Sequence, residues 1–397
     1  MMIAAVLSAW VQYAADGKPH VRALVTKTCP ALTVDGASIA MTTRAPADVA
    51  HGFTEVVCEA IVPPDATHIA VGDHPLPAPA RRADAVVVFG DTGCRMKAGE
   101  QQNCGDPENW PFPRIAQQIA AVHPNLVIDI GDYYYRENNC VPGVLGCVNY
   151  WGDTSSAWNA DWFHPAAPIF AAAPLFLSRG NHEDCARGGP GWFRFLAPTA
   201  TTVCPDPAGP SDGTPPYVVW IDGLDLIALD SASDASDSVV DPLRVAYYRR
   251  AFDTFSSLSG ARPSNVWVVT HRPPYANANM AAVVHAAPSD LAVVTAVIAG
   301  HVHDFAALNL AGYPPLIVNG EGGDDLDDMA DTQAFTAAQH FTFAAPAPFA
   351  TKQFGFAVYR RQTDGWSISL RDPEGIERES CLLSIPSYRG PAQIVCS

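Results

Sequence analysis

The sequence predicts an α/β fold preceded by a small all-β N-terminal domain, and three observations predict it. Residues 1–73 hold short β-like runs, residues 74–82 (HPLPAPARR) are rich in proline, and residues 83–397 alternate apolar strand-length runs with amphipathic helical ones. With 397 residues the chain has room for two or three domains of the usual ~100–200 residues each.

In the N-terminal domain the runs at 6–13 and 21–26 are punctuated by Asp16-Gly17 and Asp35-Gly36. Residues 74–82 read as a linker, stiff because proline holds the chain extended. Beyond it a strand at 85–89 ends in Gly90-Asp91, a helix is expected at 114–122, and a strand at 126–130 ends in Gly131-Asp132. Residues 153–170 fit a helix broken near Pro165, and 175–178 a strand ending in Gly180-Asn181-His182-Glu183. Asp222-Gly223 joins the runs 217–221 and 224–229 as a hairpin. A helix at 242–255 presents an apolar face at Val245, Tyr248 and Phe252. Strands at 266–270 and 294–299 end in His271 and in Gly300-His301-Val302-His303. Further strands at 316–319, 355–359 and 366–370 are expected to close a second sheet.

The formal charge of -17, with 24 Lys and Arg, argues against a nucleic-acid polymer as partner, because a polyanion needs a basic face, and none is expected. The same charge repels free phosphate esters, so a phosphate site must carry local positive charge, which metal ions supply. No apolar run reaches the ~18 residues needed to span a bilayer, so no transmembrane segment is expected. The 10 cysteines fall into sequence-near couples: Cys29 with Cys58, Cys94 with Cys104, Cys140 with Cys147, Cys185 with Cys204, Cys381 with Cys396. An even count without C-x-x-C pairs favours a disulfide framework in an oxidising compartment, although spacing alone leaves the connectivity open. The protein is therefore expected to be exported, periplasmic or extracellular, with its leader trimmed from this sequence. Residues 1–11 are apolar with no basic residue ahead of them, and read as a strand.

Five strand ends thus carry Asp91; Asp132 with Tyr135; Asn181 with His182; His271; and His301 with His303. Ligands of such sheets collect beyond the carboxyl ends of the strands. Each of these residues alone is commoner as a turn or a packed side chain; their joint appearance in this order is not. The segments Gly90-Asp91-Thr92-Gly93, Gly131-Asp132-Tyr133-Tyr134-Tyr135, Gly180-Asn181-His182-Glu183, Val268-Val269-Thr270-His271 and Gly300-His301-Val302-His303 together resemble the calcineurin-like metallophosphoesterase superfamily. More closely, they resemble its purple acid phosphatase branch, with its GDxG, GDxxY, GNHE, strand-end His and GHxH pattern. The resemblance spans roughly residues 84–325. Most of the superfamily begins with Asp-x-His; here Gly93 stands in place of that histidine, and Tyr135 can supply the missing ligand.

The resemblance implies a four-layer α/β/β/α sandwich and a metal-dependent hydrolase of small phosphate esters, of the acid phosphatase type. It also implies two metal ions, one held by Asp91, Asp132, Tyr135 and His303, the other by Asp132, Asn181, His271 and His301. A phenolate with carboxylates suits Fe(III), whereas two imidazoles and an amide oxygen suit divalent Fe, Zn or Mn. In the implied mechanism a metal-bound hydroxide attacks phosphorus in line. His182 then contacts the phosphoryl oxygens or protonates the leaving group, or else only orients a ligand. Arg272, next to a ligand, is either a substrate contact or a solvated surface arginine.

Plant-type purple acid phosphatases carry further histidines after the strand-end histidine, where this chain has Asn279, Met280 and Ala281, with His285 nearest. Diester, triester and nucleotide substrates therefore stay open beside monoesters, as does a non-catalytic protein that binds metal or phosphate with an inherited site. The insert 138–160 is expected to wall the pocket, with Trp151 and Trp158 serving core packing rather than stacking on a leaving group. Gly209-Pro210-Ser211-Asp212-Gly213 matches the GxSxG of serine hydrolases but lacks the strand before and helix after, and reads as a surface loop. Asp324, Asp325, Asp327 and Asp328 lack the glycine and terminal glutamate of an EF-hand and read as a solvated acidic loop.

Overall fold

The computed structural model describes residues 5–97, 99–141, 150–204, 213–233, 240–258, 265–275, 293–327, 343–346, 348–385 and 392–397, with Val283, Ala286 and Leu291. The strands Ala85–Phe89, Leu126–Asp129 and Leu175–Leu177 lie parallel, side by side. All their residues are buried, as befits strands covered on both faces. Alternation divides the side chains. Val86, Val88, Leu126 and Ile128 face one core, while Val87, Phe89 and Val127 face another, filled by Phe112, Ile115 and Ile119 of the helix Phe112–Ala121 together with Trp158, Trp162 and Trp192.

A second sheet holds Leu224–Leu229, Asn265–Thr270, Ala296–Ala299 and Leu316–Asn319 in parallel. The hairpin at Asp222-Gly223 adds Tyr217–Ile221 at one edge. Phe305–Leu308 and Phe349–Thr351 add antiparallel strands at the other. On one face Leu226, Trp267, Val269 and Ile298 interleave with the first sheet. On the other, Ile227, Val268 and Val297 pack on Val245, Tyr248, Phe252 and Phe255 of the helix Pro242–Leu258. Helix, sheet, sheet and helix make the expected four-layer sandwich.

Two features depart from the sequence reading. Phe356–Gln362 joins the first sheet, antiparallel to Ala85–Phe89, and Gly365–Arg371 pairs antiparallel with it in turn, so neither lies in the second sheet. They are followed there by Glu377–Ser384 and Gln393–Cys396, which the sequence reading did not foresee. The alternation of buried Trp366, Ile368 and Leu370 reveals which face is covered, not which sheet a strand joins. At the other end, Val6–Tyr13 pairs with Leu175–Leu177, so four N-terminal strands extend the first sheet to eleven. The remaining N-terminal strands form a four-stranded sheet over them, around Val11, Val21, Ala23, Leu32, Ile69 and Val71.

Part of the proline-rich segment is itself a strand, His74–Leu76, at the edge of that small sheet, where Pro75 needs no ladder donor. Four of the expected cysteine couples are bonded: Cys29–Cys58, Cys94–Cys104, Cys185–Cys204 and Cys381–Cys396. Cys147, expected to pair with Cys140, lies outside the described residues. Among the described residues no helix is long and apolar enough to cross a membrane.

Candidate metal centre

Three of the proposed ligands sit on backbone that side chains rarely adopt: Asp91, Asp132 and His301 have φ of 56°, 60° and 70°. Each follows a glycine, and the glycines are there because the turns touch. A Cβ on Gly131 would lie 2.5 Å from the Gly180 nitrogen, and one on Gly300 would lie 2.7 Å from Asp91 Oδ2. One on Gly180 would overlap Asp132 itself. Gly93 explains the exchange noted in the sequence, since a Cβ there would stand 2.7 Å from Tyr135 Cδ2 and 2.8 Å from its nitrogen. No side chain at position 93 can coexist with the tyrosine in this place.

The turns bring all seven predicted ligands together. Tyr135 Oη lies 2.8 Å from Asp132 Oδ2, 3.3 Å from Asp91 Oδ1 and 3.0 Å from His303 Nε2. Across Asp132, His271 Nε2 is 3.2 Å from Asp132 Oδ2, 3.0 Å from Asn181 Oδ1 and 3.3 Å from His301 Nδ1. Among the described residues two groups are close enough to hold a cation: Asp132, His271 and His301, and Asp91, Asp132 and His303, each with donor atoms within 4.8 Å of one another. Asp132 belongs to both.

The electrostatics ask for positive charge. Asp91 and Asp132 are almost wholly buried. Burial, then Asp132 and Asp91, push the Tyr135 phenol well above its ordinary range. Ionising it here requires a cation at its oxygen. Burial, with Arg272 and His271 beside it, holds His301 well below the usual imidazole range, so it is neutral with a lone pair to give. Against burial, Asp324 and Asp91 push His303 up to about 10, so that imidazole keeps its proton until a metal displaces it.

A surrounding layer orients these groups. His271 Nδ1 donates to the Ile130 carbonyl at 3.0 Å, which turns the Nε2 lone pair inward. Glu183 accepts from four backbone N–H groups, those of Asp132, Tyr133, Tyr134 and Gly180, at 2.9–3.1 Å, and so clamps two ligand turns together. Asp161, on the wide helical turn Asn159–Phe163, accepts the Tyr135 N–H at 3.0 Å. Glu183 was visible in the sequence only as part of a motif. Asp161 carried no signal, because nothing in its neighbourhood along the chain points to Tyr135.

His182 lies beside the ligands, its ring stacked on Tyr135 at 3.8 Å between centroids and its backbone N–H donating to Asp132 Oδ1 at 2.8 Å. Its Nδ1 is 2.7 Å from Glu137 Oε1, another residue the sequence reading missed. Arg272 is no surface arginine: it is 2% exposed, its backbone N–H donating to Ser231 Oγ. Asp324 is fully buried, which corrects its reading as part of a solvated loop, whereas Asp325 is exposed. Trp158 is core, stacked on Tyr134, whereas Trp151 is 48% exposed and packs in no core. Asn279, Met280, Ala281, His285, Asp328 and residues 209–212 of the GxSxG match lie outside the described residues.

A sequence model of the family described as calcineurin-like phosphoesterase matches residues 85–305. No match was found among curated proteins. Among solved structures the chain is similar to the purple acid phosphatase PPD1 from yellow lupin (Lupinus luteus) seeds, with a TM-score of 0.60 at 13% identity, covering 97% of this chain and 75% of that one. It is also similar to PhoD, with a TM-score of 0.59 at 11% identity, covering 98% and 93%. At such identities the likeness is one of fold.

Proposed function

Since the chain belongs to the calcineurin-like phosphoesterase family, we propose that it hydrolyses small phosphate esters, as a purple acid phosphatase-like enzyme, at a dinuclear metal centre of its own residues. The observation that carries this is the position of Asp132 in both donor groups, since one carboxylate shared by two ligand sets is the geometry of a bridge. Asp91, Tyr135 and His303 complete one half, hard and anionic, which suits Fe(III). Asn181, His271 and His301 complete the other, which suits divalent Fe, Zn or Mn. Bound there, the ions would supply an activated water and two positive charges for the phosphoryl oxygens, answering the net charge of -17 that otherwise repels the substrate.

The chain's own residues then bind and move protons. His182, next to Asn181 and against Tyr135, would hold a phosphoryl oxygen or hand a proton to the leaving group, with Glu137 Oε1 2.7 Å from its Nδ1. The disulfide framework supports an exported protein.

The test is hydrolysis of para-nitrophenyl phosphate and bis-para-nitrophenyl phosphate by metal-loaded protein, beside metal analysis and a visible spectrum. We expect about two metals per chain, a tyrosinate-to-iron band, monoester turnover, and a loss of at least about 100-fold in Asp132→Asn, more than a mere supporting residue would cost. A protein that holds two metals yet cleaves neither ester would be a binding protein. Turnover of the diester alone would make it a phosphodiesterase.

A further inference from the structure

Resting on that dinuclear reading, we propose that Arg95 and Asp324 are a positioning pair that aims His303 and sets the metal affinity of the Asp91–Tyr135–His303 half alone. Arg95 Nε donates to both oxygens of Asp324, at 3.0 and 3.1 Å, and its NH2 group donates to Oδ2 at 2.6 Å. Asp324 is wholly buried, and a carboxylate there is tolerable only when it is paired and hydrogen-bonded. From this fixed place its Oδ2 stands 3.3 Å from His303 Nδ1, whose N–H is accepted by the Asp325 carbonyl at 2.8 Å. The ring is therefore held from behind, with Nε2 facing Tyr135 and Asp91.

The same loop is tied to the half-centre by its backbone. Asp324 N–H donates to the Asp91 carbonyl at 2.8 Å, and His303 N–H donates to Asp327 Oδ2 at 3.0 Å. Arg95 also lies 5.8 Å from the centre of the Tyr135 ring, a cation beside a phenol that must ionise to serve as ligand. The other half is built differently. There, among the described residues, the second nitrogen of His271 meets a neutral carbonyl, that of Ile130. A buried carboxylate behind the ring of His303 and a neutral carbonyl behind that of His271 make the effect half-site selective.

The experiment titrates apoprotein with zinc against a competing chelator, for the native chain, Asp324→Asn, Arg95→Met and Arg95→Lys, and records the visible band after loading with iron. Asp324→Asn and Arg95→Met are expected to weaken one of two sites by about 10–100-fold, leave the other as it was, and shift the tyrosinate band. Arg95→Lys, which keeps the positive charge beside Asp324 and guards against a variant that fails to fold, is expected to recover part of the loss. Unchanged affinity and band in the folded variants would overturn the inference, and so would equal weakening of both sites. A native chain that binds fewer than two zinc ions would instead remove the dinuclear reading on which it stands.

Discussion

Asp91, Asp132 and His301 are held at positive φ, a conformation that costs a non-glycine residue about 1–3 kcal/mol, and all three are proposed ligands. The strain persists because the glycines beside them let the turns interlock and because Glu183 ties the Asp132 turn to the Gly180-Asn181 turn through four backbone N–H groups. This is why the ligands were legible in the sequence: a Gly-Asp or Gly-His at a strand end is the local trace of a turn that must be tight and must point a side chain over the sheet edge. Asp161, Asp324 and Glu137 leave no such trace, since each acts on a residue that only the tertiary fold brings near. Position 93 offers a direct test. Gly93→Ala places a methyl group against the Tyr135 ring and nitrogen, an overpacking that costs about 1–3 kcal/mol if the turn gives way. The expected outcome is a weakened tyrosinate-to-iron band and a fall in turnover with the far-ultraviolet circular dichroism unchanged. A band identical to that of the native chain would show that the tyrosine does not depend on an empty position 93.

The helix Gly189–Phe195 is only two turns long, yet it follows directly on the loop of Asn181 and His182, to which the Gly188 N–H is bonded through the His182 carbonyl at 2.9 Å. Its last carbonyls, which no helical N–H can satisfy, are met by the N-terminal strands. Arg22 donates to Phe195 and Ala197 at 2.7 Å, Arg44 to Phe193 at 2.9 Å, and Gln12 to Leu196 at 2.9 Å. Glu59 lies between the two arginines and holds both, accepting from Arg22 Nε at 2.9 Å and from Arg44 at 3.3 Å. Burial alone would raise the Glu59 pKa, but the hydrogen bond from His20 and the charges of Arg22 and Arg44 outweigh it and hold the carboxyl well below its usual range. A depressed carboxyl gives its stability in full above the unfolded value of about 4.3 and loses it as pH falls toward the folded one. Glu59→Gln is therefore expected to cost about 3–5 kcal/mol at neutral pH, as for a broken buried ion pair, and to flatten the decline of stability below about pH 4. Denaturant melts across that range measure both; parallel curves for the two proteins would mean that Glu59 is not the acid-sensitive tie. None of this clamp was legible beforehand, because an arginine inside a short β run gives no sign of the helix end it will reach.

At the scale of the molecule, the same strands decide whether the N-terminal part is a domain or a portion of one body. A proline-rich segment after a β-rich stretch reads as a linker, since proline interrupts local regularity, but local regularity does not reveal which sheet a strand completes. Here Val6–Tyr13 lies against Leu175–Leu177, Trp10 packs on Phe163 and Phe170 at 5.4 and 5.6 Å between centroids, and the segment is pinned where Tyr13 Oη donates to the Ala80 carbonyl at 3.2 Å. Removing residues 1–82 would bare the edge of Leu175–Leu177, a short apolar strand with unpaired backbone groups, strip aromatic partners from the core beneath the metal centre, and leave the helix end of Gly189–Phe195 without its arginines. The expected outcome is that a chain of residues 83–397 does not yield a soluble metal-binding monomer, and that the full protein unfolds in one calorimetric transition whose van't Hoff and calorimetric enthalpies agree. Two resolved transitions, or a stable 83–397 fragment that binds two metals, would mean that the eleven-stranded sheet is a docking of separate units and that the proline-rich stretch is a linker in the thermodynamic sense as well as in the sequence.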